Sequence, residues 1–219
     1  MRRQAAPAAG GRSTLRSLGA PDSWSDIWKV SRETFAPAPA RPYRRAPMDH
    51  VAATLIPLTE VDPAMIEALL DRAFGEDRHT RTAYKVREGT DWLPALSFAV
   101  VDENRYLVGS IQVWPVALTD PQGRRHPMLM VGPVAVVPER QAEGFGQALM
   151  AATFSALDPQ APLPQVLIGD PEYYGRFGFH AAPTQKWQLP GPFDRHRLLV
   201  RSDNPGVLPD EGTLGPWID

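Results

Sequence analysis

The sequence predicts a mixed α/β domain: one central twisted sheet, mostly antiparallel, with helices on both faces. Three observations carry this expectation. Three apolar segments between residues 96 and 137 are separated only by compact turn signals, the pattern of an antiparallel meander. A strand, a short glycine-bearing loop, a helix and another apolar strand then follow between residues 128 and 168, a crossover that brings in a parallel pair. Helical periodicity occurs both before and after the meander, so both faces of the sheet have cover.

Each element has its own local cause. Val51 to Leu58 alternates loosely and suits a strand. Asp62-Pro63 opens a helix, with Asp as N-cap and Pro at the first helical position, and Met65, Ile66, Leu69, Leu70 and Phe74 form its apolar face. A polar helix is expected over Thr80 to Glu88. Leu96 to Val101 and Tyr106 to Leu118 read as a hairpin joined by Asp102-Glu103-Asn104-Arg105. Asp120-Pro121-Gln122-Gly123 turns the chain into a third strand, Met128 to Val137. Phe145 to Leu157 is helical and Gln165 to Ile168 is a short apolar strand. Lys186 to Leu189 and Arg197 to Arg201 are expected as closing strands, and the last 16 residues, rich in Pro and Gly, as a tail lying on the surface. The expected order is β-α-α-β-β-β-α-β-α-β-β, with no internal repeat.

Composition sets limits on function. The chain has 219 residues, 43% of them hydrophobic, which is ample for one sizeable core. It has no cysteine, so thiolate metal sites, disulfides and a cysteine nucleophile are excluded; a reducing, cytoplasmic location fits this. The five histidines are scattered without metal spacing, and no metal is expected. No apolar run approaches the roughly 20 residues of a membrane helix. The net charge of −2 conceals an asymmetry: residues 1–47 carry nine Lys/Arg against three acids, and residues 48–219 carry 14 against 22. No global basic field points to nucleic acid. Two units follow. Residues 1–47 are a basic leader rich in Ala, Pro and Arg, with three open readings: a disordered tail, a spurious extension upstream of a true start at Met48, or a targeting or docking segment using Trp24, Ile27 and Trp28. Residues 48–219 form the folded domain.

The chemistry is concentrated between Val131 and Leu149. An apolar strand ends at Pro138, and a loop with Gly144 and Gly146 leads straight into a helix. Several backbone N–H groups and the positive end of a helix dipole then converge on one point, an anion site suited to phosphate or pyrophosphate. A Walker A loop is ruled out because no Gly-Lys-Ser/Thr ends the motif. A dinucleotide fingerprint is disfavoured because Leu149 stands where a third small residue is needed, after a meander rather than an opening βαβ unit. Pro133, within the strand, cannot donate to a ladder and marks a bulge or an edge. The peptide groups of Val134, Ala135 and Val136 would then be free to pair with a ligand.

These residues resemble the acyl-CoA-binding motif of the GNAT superfamily of N-acyltransferases, whose loop reads Gln/Arg-x-x-Gly-x-Gly/Ala. Gln141-Ala142-Glu143-Gly144-Phe145-Gly146 fills every specified position. The segment Gly169-Asp170-Pro171-Glu172-Tyr173-Tyr174-Gly175-Arg176-Phe177-Gly178-Phe179 is similar to the Tyr-x-x-x-Gly-Phe signature of the same superfamily. Its form resembles a bacterial branch usually described only as predicted acetyltransferases. The resemblance covers about residues 50–190.

The resemblance implies a GNAT fold and an acyltransferase that moves an acetyl group from acetyl-CoA to a primary amine in a ternary complex. Gln141, Ala142, Glu143, Gly144, Phe145, Gly146 and Gln147 would hold the pyrophosphate. Val134, Ala135 and Val136 would pair with the pantetheine arm, an amide near Val136 would polarise the thioester carbonyl, and Tyr174 would protonate the departing thiolate. Glu143 departs from the usual charge there and is expected to turn its side chain away, with Arg140 as a compensating cation. The strand before the motif, Met128 to Pro133, has no carboxylate for a general base. Asp170 and Glu172 remain as substrate-site candidates, although Asp170-Pro171 also reads as a helix cap. Trp92 and Trp114 have two readings, core packing or the wall of an acceptor pocket. Expected partners are a small-molecule or peptide amine acceptor, with a homodimer left open. The alternative is an acyl-CoA-binding sensor or partner-binding module without turnover.

Overall fold

The computed structural model describes residues 53–218, and the leader over residues 1–47 lies outside the described residues. In chain order the elements are β1 (Ala53–Pro57), α1 (Pro63–Phe74), α2 (Thr82–Val86), β2 (Phe98–Asp102), β3 (Leu107–Thr119), β4 (Arg125–Val136), α3 (Phe145–Ser155), β5 (Gln165–Ile168), α4 (Pro171–Tyr174), β6 (Lys186–Gln188), β7 (Leu198–Arg201) and β8 (Glu211–Pro216). The sheet runs β1-β2-β3-β4-β5-β7, with β8 paired to both β3 and β6. Among the described residues, only β4–β5 and β6–β8 are parallel. No helix among the described residues is long and apolar enough to cross a membrane.

Helices cover both faces for the expected reason: their apolar stripes need partners. In α1, Asp62 caps Ala64 N at 2.8 Å and Ile66, Leu69 and Leu70 bury against Ala99, Val101, Leu107 and Ala135. Met65, expected on that stripe, is exposed; it sits one position beyond the buried i, i+3, i+4 set. On the opposite face Phe145, Leu149 and Met150 of α3 pack against Val100, Ile111, Val131 and Leu167. A further cluster joins Val116, Leu118, Met128, Val166, Val200 and Trp187.

Two expectations need correction. The polar helix over Thr80 to Glu88 is shorter: a 3-10 segment, Glu76–Thr80, ends at an extended Arg81, and α2 covers only Thr82–Val86. Arg78 and Arg87 are 2% and 5% exposed, so tertiary anchoring of two arginines overrides the local periodicity. The C-terminal segment is also more than a surface tail, because Glu211–Pro216 forms β8. β2 pairs β3 only from Leu107 to Ile111, which leaves the edge from Val116 to Thr119 for β8. An unpaired strand edge is unfavourable, and a Gly-rich partner with Leu214 inward meets that need. Trp187, fully buried on β6, secures the approach by donating to Pro209 O at 2.9 Å.

The β3–β4 turn is held by one buried carboxylate. Asp120 accepts from Gln122 N at 3.0 Å and Arg124 N at 2.9 Å, and its other oxygen meets Arg124 Nε at 2.7 Å and His126 Nε2 at 3.0 Å. His126 is thus tied to the turn. These bonds, the His126 contact foremost, hold the Asp120 carboxyl well below the usual carboxylate range. A carboxyl depressed by folding stabilises above its unfolded pKa and loses that contribution as pH falls through the folded value. Asp120→Asn keeps the turn acceptor and loses the charge, so its melting temperature at pH 7 should drop by about 5 °C. In thermal melts across pH, the gap to wild type should close below about pH 4. A gap that stays constant into that range would show that charge has no part in it.

Candidate functional site

The site begins where β4 leaves its neighbours. β4 and β5 pair only at Leu129–Gln165 and Met130–Val166, after which β4 runs on to Val136 without β5. On the other edge the register slips: Ile111 faces Val134 but Val113 faces Val131, so Gly132 and Pro133 stand opposite Gln112. This is the bulge the proline announced. Val134, Ala135 and Val136 keep their register with β3. Successive peptide groups of a strand face opposite edges, so part of this stretch presents donors and acceptors to the open side.

Beyond β4, a 3-10 turn over Pro138–Arg140 delivers the loop. Gly144 adopts the left-handed conformation, φ 87°, as N-cap of α3, a geometry that costs a glycine little. Ala142 also has positive φ, 71°, a cost of about 1 kcal/mol for a residue with a Cβ. The first closed bond is Ala148 N to Gly144 O, 3.0 Å. Among the described residues, the amides of Ala142, Glu143, Gly144, Phe145, Gly146 and Gln147 have no protein acceptor. Six consecutive N–H groups at a helix N-terminus carrying about half a positive charge form an anion cradle. Glu143 does not oppose it: both its carboxylate oxygens lie 2.8 Å from Arg140 Nε, and Arg140 in turn lies over the Phe145 ring at 4.9 Å. Gln141 reaches back to Val136 O at 3.4 Å.

The two tyrosines of α4 face different things. A Cβ built on Gly146 would lie 2.9 Å from Tyr173 Oη, so that hydroxyl sits at the start of α3. The Tyr174 ring instead covers Gly169 at the end of β5, leaving no room for a side chain there, and packs edge-on against Phe179 with centroids 6.2 Å apart. Burial pushes the Tyr174 phenol up to about 12, with Tyr173 adding to the shift. Burial also raises Tyr173. Asp170 spends an oxygen on Glu172 N, 2.9 Å, as the cap of α4, and both carboxylates are exposed.

Trp114 lies elsewhere, in the wall of a cavity of about 660 Å³ under α1 and α2. Trp92 and Gln112 share that wall; Asp170 and Glu172 do not line it. The guanidinium carbon of Arg87 lies over the rings of Tyr84 and Trp114, 4.1 and 4.3 Å from their centroids, and its Nη1 donates to Gly132 O at 3.1 Å. Burial lowers its pKa to about 10. Arg78, beneath it, is also penalised by burial, yet hydrogen bonds to Glu67, Tyr84 and Asp71 hold its pKa above the ordinary value. The cavity therefore touches the β4 bulge through Arg87, and sequence reasoning missed Arg87, Tyr84 and Gln112. One signal was present: Gln112 is a polar residue on the buried stretch of an apolar strand. Among the described residues no cluster of His, Asp and Glu is fit to hold a metal.

The family model described as an acetyltransferase (GNAT) domain matches residues 54–182. The chain is 29% identical over 143 residues to the uncharacterized N-acetyltransferase YhbS of Escherichia coli K12, covering 63% of this chain and 83% of that protein. The crystal structure of Escherichia coli YhbS in complex with CoA superposes with a TM-score of 0.61 at 22% identity, over 80% of this chain and 94% of that one. A GNAT family acetyltransferase from Brucella melitensis, solved with acetyl-CoA, aligns over 77% of this chain and 97% of its own at 23% identity, with a TM-score of 0.49. A family match across more than half of the sequence, on this strand–loop–helix architecture, makes the chain a member of the GNAT acetyltransferase family.

Proposed function

We propose that this acyltransferase moves an acetyl group from acetyl-CoA to a primary amine, by direct attack of the amine on the thioester in a ternary complex. The observation that carries the reading is the run of six unpaired amides from Ala142 to Gln147 at the end of a strand that has left its neighbour. A pyrophosphate fits that cradle in charge and in hydrogen-bonding capacity. The open edge of Val134–Val136 suits the amide groups of a pantetheine arm, and an amide beside Val136 would stabilise the oxyanion that forms at the thioester carbonyl. The relative solved with CoA bound supports the same choice of donor.

Tyr174 is assigned to the departing sulfur. Its phenol, raised by burial to about 12, stays protonated at neutral pH. Full transfer of that proton to a thiolate of ordinary pKa near 8.5 is uphill, so the hydroxyl acts as a hydrogen-bond donor to the sulfur as the C–S bond breaks. The amine loses its proton to water during attack, and the products are the amide and free CoA. No cysteine exists to carry an acyl-enzyme.

A second reading, an acyl-CoA-binding module without turnover, draws on one observation: Met128 to Pro133 carries no carboxylate beside the splay, and Asp170 is engaged as a cap. Free CoA release, followed with a thiol reagent across a panel of amines, separates the two. Amine-dependent release above the hydrolysis background is the expected result; tight acetyl-CoA binding with no release from any amine would establish the module.

A further inference from the structure

The cavity beside the bulge contains hydrogen-bonding groups that the protein leaves unused. Arg87 is 5% exposed, and no carboxylate among the described residues lies within ion-pair distance of it. The acid whose charge acts on it, Glu67, is already bound to Arg78. Its guanidinium carbon lies over the rings of Tyr84 and Trp114, Tyr84 also hydrogen-bonds to it, and one edge is held by Gly132 O. Trp114 Nε1 is buried without an acceptor among the described residues. Gln112, 4% exposed and in the same wall, makes no side-chain hydrogen bond among the described residues. A buried cation without a counter-charge and a buried donor without an acceptor are each unfavourable, by about 1–3 kcal/mol for the neutral group and more for the ion. Proteins keep such arrangements where a ligand completes them.

The unmet groups are nearly all donors: a planar guanidinium fork, an indole N–H and a carboxamide. A carboxylate offers acceptors only and matches the guanidinium fork in shape. A ligand ammonium is the poorer match, because the aromatic faces that would bind it already hold Arg87. The hydrogen bond from Arg87 to Gly132 O puts this group at the bulge, beside the place where β4 and β5 part.

We infer that Arg87, with Gln112 and Trp114, binds a carboxylate on the acceptor, so that the acetylated amine belongs to a small amino-acid-like molecule. The inference rests on the acetyltransferase reading for the fate of the amine, but the carboxylate site stands apart from it. The acceptor enters the cavity from the side of α1 and α2, its carboxylate on Arg87 and its amine directed past the bulge to the open edge of β4. Holding one end of the acceptor turns the attack into an oriented step.

Matched amines test this on the wild-type protein: L-lysine against cadaverine, L-tyrosine against tyramine, and 4-aminobutyrate against propylamine. Two quantities are measured, kcat/KM by CoA release and affinity by calorimetry in the presence of CoA. The carboxylated member should be favoured at least about 30-fold in one or more pairs, as losing a charged hydrogen-bond set implies. Arg87→Gln should bring that ratio close to one. Because Arg87 also braces Gly132, Trp114→Phe serves as a second variant that keeps the stack and removes one donor; it should lower the ratio about tenfold. Decarboxylated amines that bind and react as well as their partners, or no binding by any carboxylated member, would overturn the inference while acetyl transfer could still stand. Carboxylate-selective binding without acetylation would retain this site and discard the transferase reading.

Discussion

Gly146→Glu is expected to weaken acetyl-CoA binding at least about 100-fold, or roughly 2.8 kcal/mol. Two effects act in the same direction. A Cβ at this position would meet Tyr173 Oη at 2.9 Å, closer than real Cβ atoms come, so either that side chain or the start of α3 must shift. The carboxylate would then stand among the six free amides of Ala142 to Gln147 and occupy the cradle as a competing anion. Calorimetry with acetyl-CoA reads the loss directly, and circular dichroism checks the fold. Gly146→Ala separates the two effects: it introduces the contact without the charge, and because the contact is with the far end of a tyrosine, Tyr173→Phe in the same chain should relieve most of the penalty. A folded Gly146→Glu protein with unchanged affinity would remove the pyrophosphate from this loop.

Tyr174→Phe should lower the turnover rate about 10²-fold while leaving acetyl-CoA affinity and melting temperature nearly unchanged. The ring keeps its place over Gly169 and against Phe179, so packing is preserved and only the hydroxyl is lost. The defect should shrink with an acyl donor whose thiol leaves more readily, since less stabilisation of the sulfur is then required. Burial raises this phenol to about 12, so it keeps its proton between pH 7 and 10. The wild-type rate should therefore show no alkaline fall attributable to it in that window. Tyr173→Phe is the control. If that substitution lowers turnover and Tyr174→Phe does not, the hydroxyl at the N-terminus of α3 carries the role, and Tyr174 is a packing residue at the end of β5.

Much of the frame is legible in the sequence. The meander, the crossover and the cap at Asp62 depend on neighbours within a turn or a strand pair, and local periodicity reports such neighbours faithfully. The loop at Gly144 belongs to the same class: a strand, a left-handed residue and a helix start are consecutive in the chain, so the anion cradle was visible as a run of letters. The bulge at Pro133 was legible because proline lacks the donor a ladder needs. Where local signals competed with distant anchors they failed. The helix expected over Thr80 to Glu88 broke at Arg81 because Arg78 is bound to Glu67 and Asp71, and Arg87 to Gly132.

The amino-acid order fixed the fold class, the glycine loop that opens α3 and the adjacent pair Tyr173 and Tyr174. It did not disclose the arginines that join Trp92 and Trp114 in the cavity beside the bulge, or the eighth strand. Both arise from contacts between residues far apart in the chain: Arg87 reaches Gly132 across 45 positions, and Thr119 pairs with Thr213 at the C-terminal end. A polar residue in a helical stretch and a Pro/Gly-rich segment read locally as surface. Their burial is decided by what the rest of the chain leaves open: a guanidinium slot against two aromatic rings, and an unpaired half of β3 that favours any segment able to donate to it. Local preferences amount to tenths of a kcal/mol per residue, whereas a buried charge or an unpaired strand edge involves several. At these sites the larger, long-range terms prevail.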